Sequence, residues 1–244
     1  MRIWGATDIG TTRKTNQDTY KFEFLNEDTQ VAVVVCDGMG GANAGNVASS
    51  IAADVFLESI RSSAVKQISK EYAKALTERA VETANQKIYE LSKENEEFSG
   101  MGTTLVALLL SGNRATIVNV GDSRCYHINN DGIRKVTKDH SLVAQLIESG
   151  RLTENQAKNH PNKNLITRAL GAEHEVAADI FQPDVKKGDC LFLCTDGLSN
   201  YVSEQEILYE VVHGGEYGSC CERLIDIANA RGGSDNITAA LVEV

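Results

Sequence analysis

The sequence predicts an α+β protein: a four-layer αββα sandwich, two antiparallel β-sheets flanked by helix pairs. Three observations lead there. The strand-like runs are joined by hairpin turns rather than by helices, which argues for antiparallel sheets and against βαβ units. Their order is strands, two helices, strands, an irregular insert, strands, two helices and a last strand. Two helix pairs need apolar faces to cover, and two sheets packed face to face leave two such faces on the outside.

Apolar or alternating runs bounded by Gly, Asn and Asp mark strands over residues 2–8, 20–25 and 30–36. A helical pattern follows over 47–60. Ile68, Tyr72, Leu76, Ala80, Val81, Ala84, Ile88 and Leu91 then recur at helical spacing and predict a second helix. Strands are expected over 103–110, 115–120, 124–128 and 133–136. Ser111-Gly112-Asn113 and Asn129-Asn130-Asp131-Gly132 supply hairpin turns from residues that tolerate positive φ. Short helical pieces fall between Ser141 and Ala169, a polar stretch expected to lie outside the core. Strands over 175–181 and 189–195, helices over 204–212 and 221–230, and a strand over 236–242 complete the order.

A chain of 244 residues is long enough for one sizeable domain, so a single domain over 1–244 is expected. The net charge of −10 is a poor basis for binding nucleic acid or anionic lipid, and neither partner is expected. Phosphate chemistry on so acidic a chain requires bound cations that reverse the local field. None of the six cysteines forms a CxxC pair, which speaks against a thiolate zinc site. Cys36, Cys190 and Cys194 lie in apolar runs and read as buried, reduced thiols. No stretch reaches the ~18 apolar residues of a membrane span. With no signal-peptide core at the N-terminus, a cytoplasmic protein is expected.

Two segments resemble each other. Val31 to Cys36 runs into Asp37-Gly38, and Leu191 to Thr195 runs into Asp196-Gly197. An unpaired carboxylate at the end of a buried strand is costly. Two such strands side by side would bring two carboxylates together, and these repel unless a cation lies between them. Asp18, Asp122 and Asp235 stand at comparable turns beside apolar strands. A single Asp-Gly is best read as a turn signal; five acids in such settings favour a metal site. Oxygen ligands without His or Cys suit hard cations such as Mg or Mn.

This constellation resembles the PPM family, the type 2C metal-dependent serine/threonine protein phosphatases, and in particular its bacterial members. The matching motifs are Arg13 with Asn16-Gln17-Asp18, Val35 to Gly41, Gly102-Thr103-Thr104, Asn119 to Arg124, Asp139-His140-Ser141, Arg168 to Gly171, Leu193 to Leu198 and Ser234 to Thr238. Each is weak alone; their joint occurrence in this order is specific.

The resemblance implies a role for each residue. Asp37 would bridge two metals, with the Gly38 carbonyl on one of them. Asp196 and Asp235 would complete the other sphere, and Asp18 would act through bound water. Asp122, with Asp196, would hold a third ion beside the two core Mn or Mg ions. Arg13 would clamp the substrate phosphate, for which a guanidinium has the right planar geometry; its bland reading is a surface charge beside Lys14. The implied reaction is direct attack of metal-bound water on the phosphorus of phosphoserine or phosphothreonine in proteins, opposing a serine/threonine kinase. The family's flap corresponds to an insert at about 140–171. That insert reads equally well as a substrate-tuning loop and as a solvated excursion.

One departure concerns acid catalysis. Some members carry His two residues after the bridging Asp, where this chain has Met39. Leaving-group protonation must then come from water or with help from the third ion. His140 is expected to orient the flap or a bound water. The glycine-rich turn around Gly40-Gly41 and Asn43-Ala44-Gly45 reads as close packing rather than a phosphate cradle. A phosphatase with a nucleophilic Asp needs a second acid after Asp37-Gly38 or Asp196-Gly197, and Met39 and Leu198 stand there. A degenerate binding module would have lost metal acids, and none is missing. An EF-hand would need alternating oxygen ligands after Asp37.

Overall fold

The computed structural model describes residues 1–27, 29–41, 44–158 and 160–244; Asn43 of the glycine-rich turn lies outside them. Three strands open the chain, β1 (Arg2–Asp8), β2 (Asp18–Leu25) and β3 (Gln30–Met39), followed by helices α1 (Ala44–Ser63) and α2 (Lys70–Glu94). Next come β4 (Gly102–Thr103), β5 (Leu105–Ser111), β6 (Arg114–Val120), β7 (Arg124–Asn129) and β8 (Gly132–Lys135). The insert contains α3 (Leu142–Glu148) and α4 (Glu154–Lys158). The remainder is β9 (Asp179–Phe181), β10 (Cys190–Cys194), α5 (Asp196–Ser199), α6 (Glu204–His213), α7 (Cys220–Ala230) and β11 (Ile237–Glu243).

These strands form two antiparallel sheets, ordered β1-β11-β10-β7-β8 and β2-β3-β5-β6-β9, with β4 paired to the end of β3. Alternation along each strand sorts residues into layers. Val31, Val33 and Val35 of β3 face Leu191 and Leu193 of β10 and Ala240 and Val242 of β11 in the core between the sheets. Ala32, Val34 and Cys36 point the other way, against α1 and α2. Phe192, Cys194, Ala239 and Leu241 likewise meet α6 and α7. This is the αββα sandwich the sequence predicts. Among the described residues no helix is long and apolar enough to cross a membrane, and all six cysteines are free and buried.

The structure departs from the sequence expectation at several places. The strand expected over 103–110 is broken at Thr104, where Thr103 ends a two-residue pairing with the tail of β3 and Leu105 begins the pairing with the rest of it. Of the strand expected over 175–181, only Asp179–Phe181 forms. The insert is not wholly outside the core. His140 and Ser141 at its start and Ala169 and Leu170 at its end are buried, and bridges Ser141↔Ile166 and Thr103↔Leu170 tie both ends down.

Candidate active site

Strands of both sheets deliver acids to one end of the sandwich. β3 runs towards that end with Asp37, and antiparallel β2 starts there with Asp18, directly opposite Asp37 in the register. After β6 the chain crosses between sheets through Gly121, Asp122 and Ser123. β10 ends at Cys194, Thr195 caps α5, and Asp196 is the first residue of that helix. Asp235 precedes β11.

Two local expectations are corrected. Asp37-Gly38 is not a turn: β4 pairs with Gly38 and Met39, so β3 continues past the acid. β3 and β10 are not side by side. They belong to opposite sheets, so Asp37 and Asp196 meet across the sandwich, close enough for the charge of Asp196 to raise the Asp37 carboxyl.

Uncharged side chains hold this end together. The Asp37 amide donates to Thr104 Oγ1 (3.0 Å), and its carbonyl accepts from Thr104 N and Thr103 Oγ1, both at 2.9 Å. Thr195 Oγ1 donates to Asp18 Oδ2 (2.9 Å) and accepts from Thr238 N (3.0 Å). Asn236 Nδ2 donates to the carbonyls of Ile9 and Thr15, each at 3.0 Å, while its Oδ1 accepts from Gln17 N at 2.8 Å. That one amide therefore closes the loop carrying Arg13 onto the start of β11. Gly38 fits where no side chain would: an added Cβ would stand 2.1 Å from the Gly45 carbonyl oxygen and 2.7 Å from that of Gln17.

The acids repel one another in a site short of water. Burial and the neighbouring Asp196 and Asp235 push the Asp18 carboxyl up to about 7, against hydrogen bonds from Thr238 and Thr195. Burial and the charges of Asp196 and Asp139 push Asp122 up to about 7, against Arg124. Asp37 is raised well above the usual carboxylate range by burial and by Asp18, Asp196, Asp122 and Asp235. Asp196 is raised by burial and by Asp235. At the rim, Arg13 forms an ion pair with Asp235: Nη2 donates to Oδ2 at 2.9 Å, and Nε lies 2.9 Å from Oδ1.

Comparison with known proteins shows the family. The sequence profile of the family described as protein phosphatase 2C matches residues 11–242. The chain belongs to the protein phosphatase 2C family. It is 38% identical over 237 residues to the serine/threonine phosphatase stp of Listeria innocua, covering 97% of this chain and 93% of that one. The crystal structure of the serine/threonine phosphatase Stp1 from Staphylococcus aureus superposes with a TM-score of 0.92 at 35% identity, covering 99% and 94% of the two chains. The catalytic domain of the serine/threonine protein phosphatase PstP, in complex with two manganese ions, gives a TM-score of 0.86 at 32% identity, covering 99% and 97%.

Protein phosphatase 2C enzymes are metal-dependent, and the residues of this chain fit hard cations. Among the described residues no three His, Cys, Asp or Glu side chains form a ready-made cage. A cage is not what Mg or Mn needs, because such ions keep several waters and take few carboxylates. The positive indication is Asp18 Oδ1, which is buried and has no hydrogen-bond partner. Together with four acids that raise one another's affinity for protons, this is a donor set with unspent negative charge.

The tertiary contacts also assign work to residues whose roles the sequence did not suggest. Thr195 reads locally as a helix cap, yet its hydroxyl serves Asp18, 177 positions away. Asp139 is gripped by Arg124 and Lys135. The other histidines stand apart from the acids. His127 pairs with Asp189 (2.7 Å) at the far end of β10. His213 packs against Tyr209, and His174 is exposed against Tyr89.

Proposed function

We infer that this protein is a metal-dependent phosphatase that hydrolyses phosphoserine and phosphothreonine on proteins by direct attack of water on phosphorus, with no covalent phosphoenzyme. The observation that carries the reading is the convergence of Asp18, Asp37, Asp122, Asp196 and Asp235 from both sheets, with Arg13 at their rim.

In this reading Asp37 would hold both of two core Mn or Mg ions, the Gly38 carbonyl would serve one of them, and Asp196 and Asp235 would serve the other. Asp18 would act through bound water, and Asp122 with Asp196 would hold a third ion. Such ions supply Lewis-acid charge for the phosphoryl oxygens and lower the pKa of water towards neutrality. Arg13 holds the substrate phosphate through its guanidinium N–H donors, whose planar array suits a phosphate. It places phosphorus over the acids and neutralises charge that grows on the equatorial oxygens. Every thiol is buried and pushed up by that burial, so no cysteine competes as nucleophile.

The insert over 140–171 is the flap of this domain, placed to tune substrate choice. The protein works in the cytoplasm on phosphorylated proteins, opposite a serine/threonine kinase. A manganese-dependent assay with p-nitrophenyl phosphate and a phosphothreonine peptide tests the reading. Release of phosphate from both, abolished by chelation, is expected. Tight manganese binding without turnover would make the protein a binding module instead.

A further inference from the structure

We propose that His140 is a positioning residue that clamps the turn carrying Asp122 and couples that turn to the base of the insert. The proposal rests on the catalytic contribution assigned to Asp122.

Both peptide groups of Gly121 are held by this one residue. The amide of His140 donates to the Gly121 carbonyl at 2.9 Å, and His140 Nδ1 accepts from the Gly121 amide at 3.0 Å. A ring nitrogen that accepts carries no proton, so the proton of the neutral imidazole sits on Nε2. Nε2 lies 3.4 Å from Asp179 Oδ2, the neighbour that can accept its proton, and 3.1 Å from Arg168 Nη1. Asp179 is itself fixed by Arg168, whose Nη1 lies 2.9 Å from Oδ1. The ring is thus oriented from behind, in the way ligand-supporting groups are usually held.

The other side of His140 belongs to the insert. Its carbonyl accepts from the Thr167 amide at 2.8 Å, and Ser141 bridges to Ile166. The insert therefore leaves and returns through the residue that clamps Gly121. Gly121 has little room to absorb movement: its φ is +105°, and a Cβ there would stand 2.5 Å from Thr104 Cγ2. Thr104 in turn bonds Ser123 Oγ at 2.7 Å and accepts from the Asp37 amide at 3.0 Å. A shift of the insert base is passed through His140 to Asp122, and from there to the strand bearing Asp37.

A double-mutant cycle on a phosphothreonine peptide tests this, with His140→Ala, Asp122→Ala and the double variant. His140→Ala should lower kcat by ~10–100-fold, the usual cost of losing a supporting partner, and the double variant should be no slower than Asp122→Ala alone. His140→Asn, whose side-chain oxygen can accept where Nδ1 does, should recover most of the loss. Hydrogen exchange of the metal-free protein gives a readout independent of turnover. In His140→Ala, Thr167 should exchange faster, although its own bond is to a backbone carbonyl that the substitution leaves in place. If His140→Ala does not fold, Asp179→Ala, at a partly exposed position, takes its place with the same expected non-additivity. Full activity of Asp122→Ala would overturn the role of Asp122 and this proposal with it. An impaired Asp122→Ala whose defect simply multiplies with that of His140→Ala would overturn the positioning role alone. So would a His140→Ala variant that loses thermal stability but keeps its kcat.

Discussion

Arg13 pairs with Asp235 across 222 positions of sequence: its Nη2 donates to Oδ2 at 2.9 Å, and its Nε lies 2.9 Å from Oδ1. The two side chains are 52% and 31% exposed. An ion pair that open to solvent contributes less than about 1 kcal/mol to stability. In the proposed reading its significance is position: a guanidinium stands at the rim of the acids, where a substrate phosphate would arrive.

Replacing Arg13 with Ala should therefore raise KM for a phosphothreonine peptide more than it lowers kcat, with little change in Tm. Unchanged kinetics would return Arg13 to the surface-charge reading.

Asp37→Asn should abolish turnover, and calorimetry should show manganese binding lost or much weakened. Because Asp37 carries the combined repulsion of four neighbouring acids, its neutral amide should also raise the Tm of the metal-free protein. Wild-type turnover in this variant would reject the bridging role.

Stability of the metal-free protein should fall as pH rises through about 7. Asp18 and Asp122 are held at about 7 in the fold, above the ~3.9 of an unfolded aspartate. The folded state therefore binds these protons more tightly. Their contribution is complete below the unfolded value and is lost as pH passes the folded one. Urea midpoints should be lower at pH 8 than at pH 6 without metal, and manganese should narrow the gap. A midpoint that rises over this window would contradict the placement of these two acids.

Gly38→Ala should destabilise the protein by about 1–3 kcal/mol, the usual range for forcing an extra carbon into a packed site. The new methyl would meet the carbonyl oxygens of Gly45 and Gln17, so relief requires movement of α1 or of the segment leading into Asp18. Urea denaturation reads the loss, and a variant as stable as wild type would show that this junction yields easily.

No histidine should behave as an essential general acid. General acid catalysis is typically worth ~10²–10⁴ in rate, and its loss is felt most on the poorer leaving group. Ala variants of His127, His160, His174 and His213 should keep their ratio of activity on a phosphothreonine peptide to that on p-nitrophenyl phosphate. His140→Ala should slow both substrates alike, because its Nδ1 is engaged by Gly121 and its Nε2 lies against Arg168 and Asp179. A selective ~100-fold loss on the peptide for any of them would identify the missing acid.

Much of this architecture is readable in the chain because its signals are local. The alternation within Val31 to Cys36 assigns two faces to β3, and helical spacing from Ile68 to Leu91 marks α2. The acids were recognisable because each follows or precedes an apolar run. The boundaries went astray where pairing overrides local pattern. β3 outruns its apolar stretch because β4 extends it, and the polar insert is buried at both ends because Thr103 and Ser141 find partners there.

By itself, the sequence determined the element order and the αββα class and singled out the acids as candidates, since side-chain periodicity and a carboxylate at a strand end are short-range facts. Only the tertiary structure decided how those acids are arranged. Asp18 faces Asp37 through strand register, Asp37 meets Asp196 across two sheets, Thr195 reaches Asp18, and Arg13 finds Asp235 from the opposite end of the chain. Each of those relationships depends on which strands neighbour one another and in what register. Burial of the apolar core selects that outcome over the whole chain at once, so no local segment encodes it.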